Sequence, residues 1–187
     1  MTIRVFIAVE IDSEIKNKLS EYLSMLKRTG ADVKWVSPEN IHLTLKFIGY
    51  IEKDALINLN KIISDAVSST GPFSISIGNI GAFPSLKKPR VVFVCVQEKG
   101  NDLLRIYEKL DKGVERLGIN KESKKYVGHI TLGRVKSQKN ISNLKNALNS
   151  GKECCFGLEK VTSLSLIESE LTPTGPIYTR LNNFILN

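Results

Sequence analysis

The chain has 187 residues, 42% of them hydrophobic and 25% charged, a balance that excludes intrinsic disorder and fits one large domain or two small lobes sharing a core. No apolar run approaches the ~20 residues that span a bilayer. The formal net charge of +8 favours polyanionic partners such as nucleic acid, or anionic membrane surfaces.

Arg4 to Ile11 is rich in β-branched and apolar residues and reads as a buried strand. Asp12 or Ser13 then caps a helix carrying Ile15, Leu19, Leu23 and Leu26 at helical spacing, stopped by Gly30. Trp35 to Asn40 is a short extended segment with a turn, and Ile41 to Ile48 is a strand ended by Gly49. A second helix spans Lys53 to Ser69, and Phe73 to Ile77 alternates as a half-buried strand does. Gly81 to Arg90 reads as a loop of turn residues and positive charge. Arg90 to Gln97 is again a strand, followed by a helix capped by Asn101 or Asp102 and a basic loop from Lys121 to Lys125. Tyr126 to Val135 is a strand and Ser137 to Asn149 a short helix, with strands over Phe156 to Glu168 and Ile177 to Leu186 completing the chain.

The three cysteines, Cys95, Cys154 and Cys155, have neither metal-site nor CxxC spacing and are expected to be reduced and mostly buried. Met1 to Glu10 lacks the apolar length and the cleavage site of a secretion signal, so the expected location is the cytoplasm.

The two histidines fall in matching segments, His42-Leu43-Thr44-Leu45 and His129-Ile130-Thr131-Leu132. They lie 87 residues apart, and the same offset separates Phe6 from Phe93 and Thr44 from Thr131. One offset held across a strand, a helix and a motif points to a duplication, with related segments near 4–80 and 90–168. The expected fold is α+β: a single bilobal domain over 1–187, with two antiparallel-rich sheets flanking a central cleft and helices outside.

Residues i and i+2 of a strand share a face. Each motif therefore turns its histidine and threonine one way and its apolar residues the other. Two imidazoles facing one ligand suit acid–base chemistry at phosphorus, because histidine offers both a proton donor and a proton acceptor near neutrality. Threonine hydroxyls can donate to non-bridging oxygens. Lys46 and Arg134 have the wrong parity for this face on a regular strand. A single HxT is more often structural; repeated, it is either an inherited structural pair or a catalytic one. Two histidines without nearby ligand-spaced partners argue against a metal centre. Nor is there a GxSxG, GxGxxG or P-loop signature.

Arg4, Lys87, Lys88, Arg90, Lys124 and Lys125 are candidates for contacts with an RNA backbone, equally readable as solvated surface. Phe47, Phe83, Tyr126 and Trp35 can stack on a base. Phe83 is the best placed of these, whereas Trp35 and Phe47 are expected in the core.

Two HxTL tetrapeptides at this separation resemble the 2H phosphoesterase superfamily, and within it the RNA 2′,3′-cyclic phosphodiesterases or 2′-5′ RNA ligases. The resemblance extends over Arg4 to Ala8, Trp35-Val36, Glu39-Asn40, His42 to Phe47, Phe83-Pro84, Pro89 to Val91, His129 to Arg134 and Gly175 to Tyr178. It implies hydrolysis of a terminal 2′,3′-cyclic phosphate on RNA ends to a 2′-phosphomonoester without metal or cofactor; the expected oligomeric state, apart from the resemblance, is a monomer. It also implies that His42 is the proton donor and His129 the proton acceptor, with Thr44 and Thr131 holding the phosphate. Arg134, Arg90, Phe83 and Tyr126 complete the expected substrate contacts. The alternatives are 2′-5′ ligation, turnover of another small cyclic phosphate, or a non-catalytic RNA-binding module.

Overall fold

A computed structural model describes residues 1–122 and 125–187. In chain order the elements are β1 (Thr2–Glu10), α1 (Ser13–Lys27), β2 (Val33–Trp35), β3 (His42–Glu52), α2 (Ala55–Val67), β4 (Phe73–Ser85), β5 (Lys88–Gln97), α3 (Asp102–Val114), β6 (His129–Val135), α4 (Ile141–Ser150), β7 (Cys155–Val161), β8 (Ser163–Thr172) and β9 (Gly175–Ile185). A 3-10 turn, Pro38–Asn40, leads into β3, and another, Glu115–Leu117, follows α3.

The strands form two antiparallel sheets, ordered β3-β1-β8-β9 and β2-β6-β5-β4-β7. Each sheet is built around one HxTL strand. Neither sheet follows one sequence segment: β2 and β4 cross into the sheet of the second motif, and β8 and β9 into that of the first. The helices cross as well. α1 leaves β1 but packs on β7, while α3 leaves β5 but packs on β3 and α2. One continuous apolar cluster results, running from Val5, Ile7 and Leu43 through Leu19 and Leu23 to Val94, Leu110 and Ile130. Exchange of strands and helices interlocks the two sheets over one shared core.

Helical periodicity explains the helices. In α1, Ile15, Leu19, Leu23 and Leu26 are all buried, each worth roughly 1.5–3 kcal/mol when fully removed from water. Asp12 caps the helix by accepting from the Glu14 N–H at 2.7 Å.

Three expectations need correction. The Gly81–Arg90 segment is a hairpin, not a loop, because β4 runs on to Ser85 and pairs with β5. Its glycine is a packing device: a Cβ at Gly81 would lie 2.3 Å from the Phe93 ring. The expected strand from Phe156 to Glu168 is two strands, broken at Thr162 and lying in different sheets. The thiols are less buried than expected; all three are free, with Cys95 and Cys154 half-buried and Cys155 exposed. Among the described residues, no helix is long and apolar enough to cross a membrane.

Lys46 is 1% exposed and its ammonium lies 2.6 Å from Asp111 Oδ1. Removing one partner of such a buried pair strands the other charge and costs about 3–5 kcal/mol. Lys46→Met is therefore expected to lower the unfolding free energy by about that amount, measured by urea titration; a loss below about 1 kcal/mol, the range of an exposed pair, would contradict the assignment.

Candidate active site

Both motif strands begin at their histidine and share one irregularity. Register shifts leave Leu45 unpaired between Thr44 and Lys46, and Leu132 unpaired between Thr131 and Gly133. These positions are again 87 residues apart. A bulge of this kind inverts the alternation of faces beyond it. Leu45 and Lys46 consequently both turn inward, as do Leu132 and Gly133. Phe47 and Arg134 emerge on the face of the histidines. The bulge thus resolves the parity problem for Arg134 and sends Lys46 to the interior instead. Gly133 is obligatory in this arrangement, because a Cβ there would come within 2.6 Å of the Trp35 ring where β2 crosses β6.

The histidines are held alike. His42 Nδ1 is 2.8 Å from the Asn40 carbonyl, and His129 Nδ1 is 2.7 Å from the Val127 carbonyl. A carbonyl only accepts, so each ring carries its proton on Nδ1 and, when neutral, leaves Nε2 with a free lone pair. His42 Nε2 lies 2.9 Å from Thr44 Oγ1. Among the described residues, His129 Nε2 has no such partner. Burial holds the His42 imidazole below its ordinary pKa; Lys16 adds to that effect, while the Asn40 carbonyl and Glu10 oppose it.

Each imidazole rests on aromatic rings. His42 lies 4.8 Å from Phe6 and 5.4 Å, edge-on, from Tyr178. His129 lies 5.2 Å from both Phe93 and Phe83. Phe6 and Phe93, apparent core residues in the sequence, are buried on the cleft side and form the floor beneath the two rings. Their matching offset was the available signal. Tyr178 joins the site from β9. Burial raises its hydroxyl pKa, while Arg4 of the first sheet and Arg134 of the second both act to lower it. β3 and β6, the strands that carry the two motifs, lie in contact with each other across the two sheets.

The remaining candidates divide. Thr44 and Thr131 lie half-buried beside their histidines on the same face. Phe83 is 37% exposed beside His129. Phe47, expected in the core, is 48% exposed because of the bulge and sits 5.7 Å from Phe6 with the Arg4 guanidinium over its ring. Trp35 packs against the core. Tyr126 stacks on Tyr107 at 4.6 Å and donates to the Thr44 carbonyl at 3.5 Å, so one of its faces is already covered. Arg90 and Arg134 are exposed and, among the described residues, make no ion pair. Lys87, Lys88 and Lys125 are exposed; Arg4 donates to Ser169 Oγ at 2.7 Å. Lys124 lies outside the described residues. Among the described residues, no three His, Cys, Asp or Glu side chains are grouped to hold a metal ion.

Comparison with known proteins agrees with this geometry. The LigT-like phosphoesterase family model matches the chain twice, over residues 9–93 and 94–178. An RNA 2′,3′-cyclic phosphodiesterase of Methanothermobacter thermautotrophicus is 37% identical over all of both chains. A protein of the same name from Methanocaldococcus jannaschii is 34% identical over 94% of this chain and 96% of its own. A crystal structure from Thermus thermophilus superposes with a TM-score of 0.81 at 30% identity, covering 98% of each chain. The Escherichia coli LigT structure solved with 3′-AMP shares the fold, with a TM-score of 0.81 at 20% identity over 100% of this chain and 99% of that one. The two bulged HxTL strands, the fold and these matches together establish that the chain belongs to the LigT-like phosphoesterase family of the 2H superfamily.

Proposed function

We propose that this protein hydrolyses RNA ends bearing a 2′,3′-cyclic phosphate to 2′-phosphomonoesters. The observation that carries the reading is the matched pair of imidazoles, each with Nδ1 tied to a carbonyl and Nε2 left for chemistry on a shared face. The names of the relatives support the substrate class.

In this reading His129 Nε2 takes a proton from water as its oxygen bonds to phosphorus. The bond from phosphorus to the 3′ oxygen breaks, and protonated His42 supplies that oxygen with a proton. One water is consumed and the two rings exchange protonation states, which solvent restores. Thr44 and Thr131 donate to the non-bridging oxygens, and Arg134 offsets their charge. Phe83 provides an open ring for the terminal base, while Arg90, Lys87 and Lys88 lie near it along the hairpin for backbone phosphates. Both histidines come from one chain, so a monomer suffices. Free thiols and positive charge fit a cytoplasmic RNA enzyme.

Each imidazole should contribute roughly 10²–10⁴-fold in rate. His42→Ala and His129→Ala are thus each expected to lose about that factor on an oligonucleotide ending in 2′,3′-cyclic phosphate. Turnover at the wild-type level by either variant would end the proposal.

The pH profile has a definite sign. His42 sits below the ordinary histidine value of ~6.5, so the free protein loses its donor proton below that pH. The residual kcat/KM of a His129 variant, in which His42 is the one remaining imidazole, should therefore fall with a midpoint under ~6.5. A bound phosphodiester anion favours the imidazolium, so the matching limb of kcat should lie higher. Residual kcat/KM of a His42 variant that still falls on the alkaline side would contradict the donor role.

A further inference from the structure

Three charged side chains from separate parts of the chain meet behind the first motif strand. They are Lys46 on β3, Asp111 on α3 and Glu122 in the segment that leads to β6. Lys46 Nζ is 2.6 Å from Asp111 Oδ1 and 3.6 Å from Glu122 Oε1, and the Glu122 N–H lies 3.4 Å from the same Asp111 oxygen. The reaction described above uses none of them. A lysine that is 1% exposed is costly unless its charge is matched; Asp111 is the closer, largely buried partner, and Glu122 the half-exposed one.

One helical turn before Asp111, Tyr107 stacks on Tyr126, with ring planes at 21°. The Tyr126 hydroxyl reaches back to the Thr44 carbonyl. The next residue is Val127, whose carbonyl accepts the His129 Nδ1 proton. The first motif strand therefore grips the approach to the second histidine twice, at Glu122 through charge and at Tyr126 through a hydrogen bond.

We propose that Lys46, Asp111, Glu122 and the Tyr107–Tyr126 stack form a positioning cluster, through which the first HxTL strand fixes the tautomer and direction of His129. When the Val127 carbonyl moves away, Nδ1 loses its acceptor. The proton can then reside on Nε2, where it removes the lone pair that a base needs. The effect on turnover rests on the two-histidine reaction; the effect on the ring does not.

The chain's two histidines make the test direct. Nitrogen NMR of the imidazoles, recorded at alkaline pH, reports which nitrogen carries each proton. In the wild-type protein both rings are expected to carry it on Nδ1. In Glu122→Ala/Tyr126→Phe, His129 is expected to show a mixture of tautomers. His42, whose acceptor is Asn40, should stay unchanged and serves as the internal control. On a cyclic-phosphate oligonucleotide kcat should fall about 10-fold or more while KM changes little, because displacement of a reacting group penalises chemistry rather than binding. Glu122→Asp, which keeps a carboxylate on that segment, should retain most of the wild-type signal. An unaltered His129 ring in the double variant overturns the proposal. If that variant does not fold, Tyr126→Phe, which deletes one oxygen atom from a stacked ring, decides in the same way. An altered ring with unchanged turnover supports the positioning role and counts against the two-histidine reaction.

Discussion

Each histidine donates its Nδ1 proton to the carbonyl two residues before it, and the rest of the site depends on that local bond. It sets which nitrogen faces the cleft, and it can do so only where the chain enters the strand at the right angle. For His42 the entry is the 3-10 turn from Pro38 to Asn40, pinned by the Asn40 amide to the Pro176 carbonyl at 3.0 Å. For His129 it is the Val127–Gly128 segment just before β6, where the Gly128 carbonyl accepts from the Val96 N–H at 3.0 Å. Two different pieces of backbone thus deliver the same ring geometry from opposite sheets.

The family model matches the chain twice, whereas acid–base chemistry needs two different rings. The differences lie around the copied residues rather than in them. His42 is the more enclosed ring and has a hydroxyl on its Nε2; among the described residues, His129 Nε2 is unpartnered. At the equivalent positions after the bulges, one half places Phe47 in the cleft and the other Arg134. An aromatic face on one side and a guanidinium on the other break the symmetry of the cleft. They offer a substrate a stacking surface and a charge partner at distinct ends.

Much of this was legible in the sequence. Helical and strand periodicities located α1, α2 and α3 to within a few residues, and the constant offset singled out both histidines and both threonines. The parity rule placed each His/Thr pair on one face. It was less informative beyond Leu45 and Leu132, because a bulge adds one residue without any compositional mark, so Phe47 was assigned to the core and Arg134 remained uncertain. Strand exchange was hidden because sheet pairing is non-local: nothing in Val33–Trp35 or Phe73–Ser85 names the sheet each joins. The β4–β5 hairpin read as a loop because glycine and proline usually punctuate, whereas here Gly81 makes room for a ring. Phe6 and Phe93 looked like ordinary core because burial and site formation coincide in them.

The assignment of unlike roles to two like rings is the central claim, and leaving-group chemistry tests it most directly. A cyclic phosphate whose 3′ bridging atom is sulfur expels a thiolate, which needs no proton donor. The rates of His42→Ala and His129→Ala on this substrate should therefore diverge: the His42 variant recovers most of its lost turnover, while the His129 variant, still lacking a base, does not. Equal recovery by both variants, or recovery by the His129 variant alone, would contradict the account.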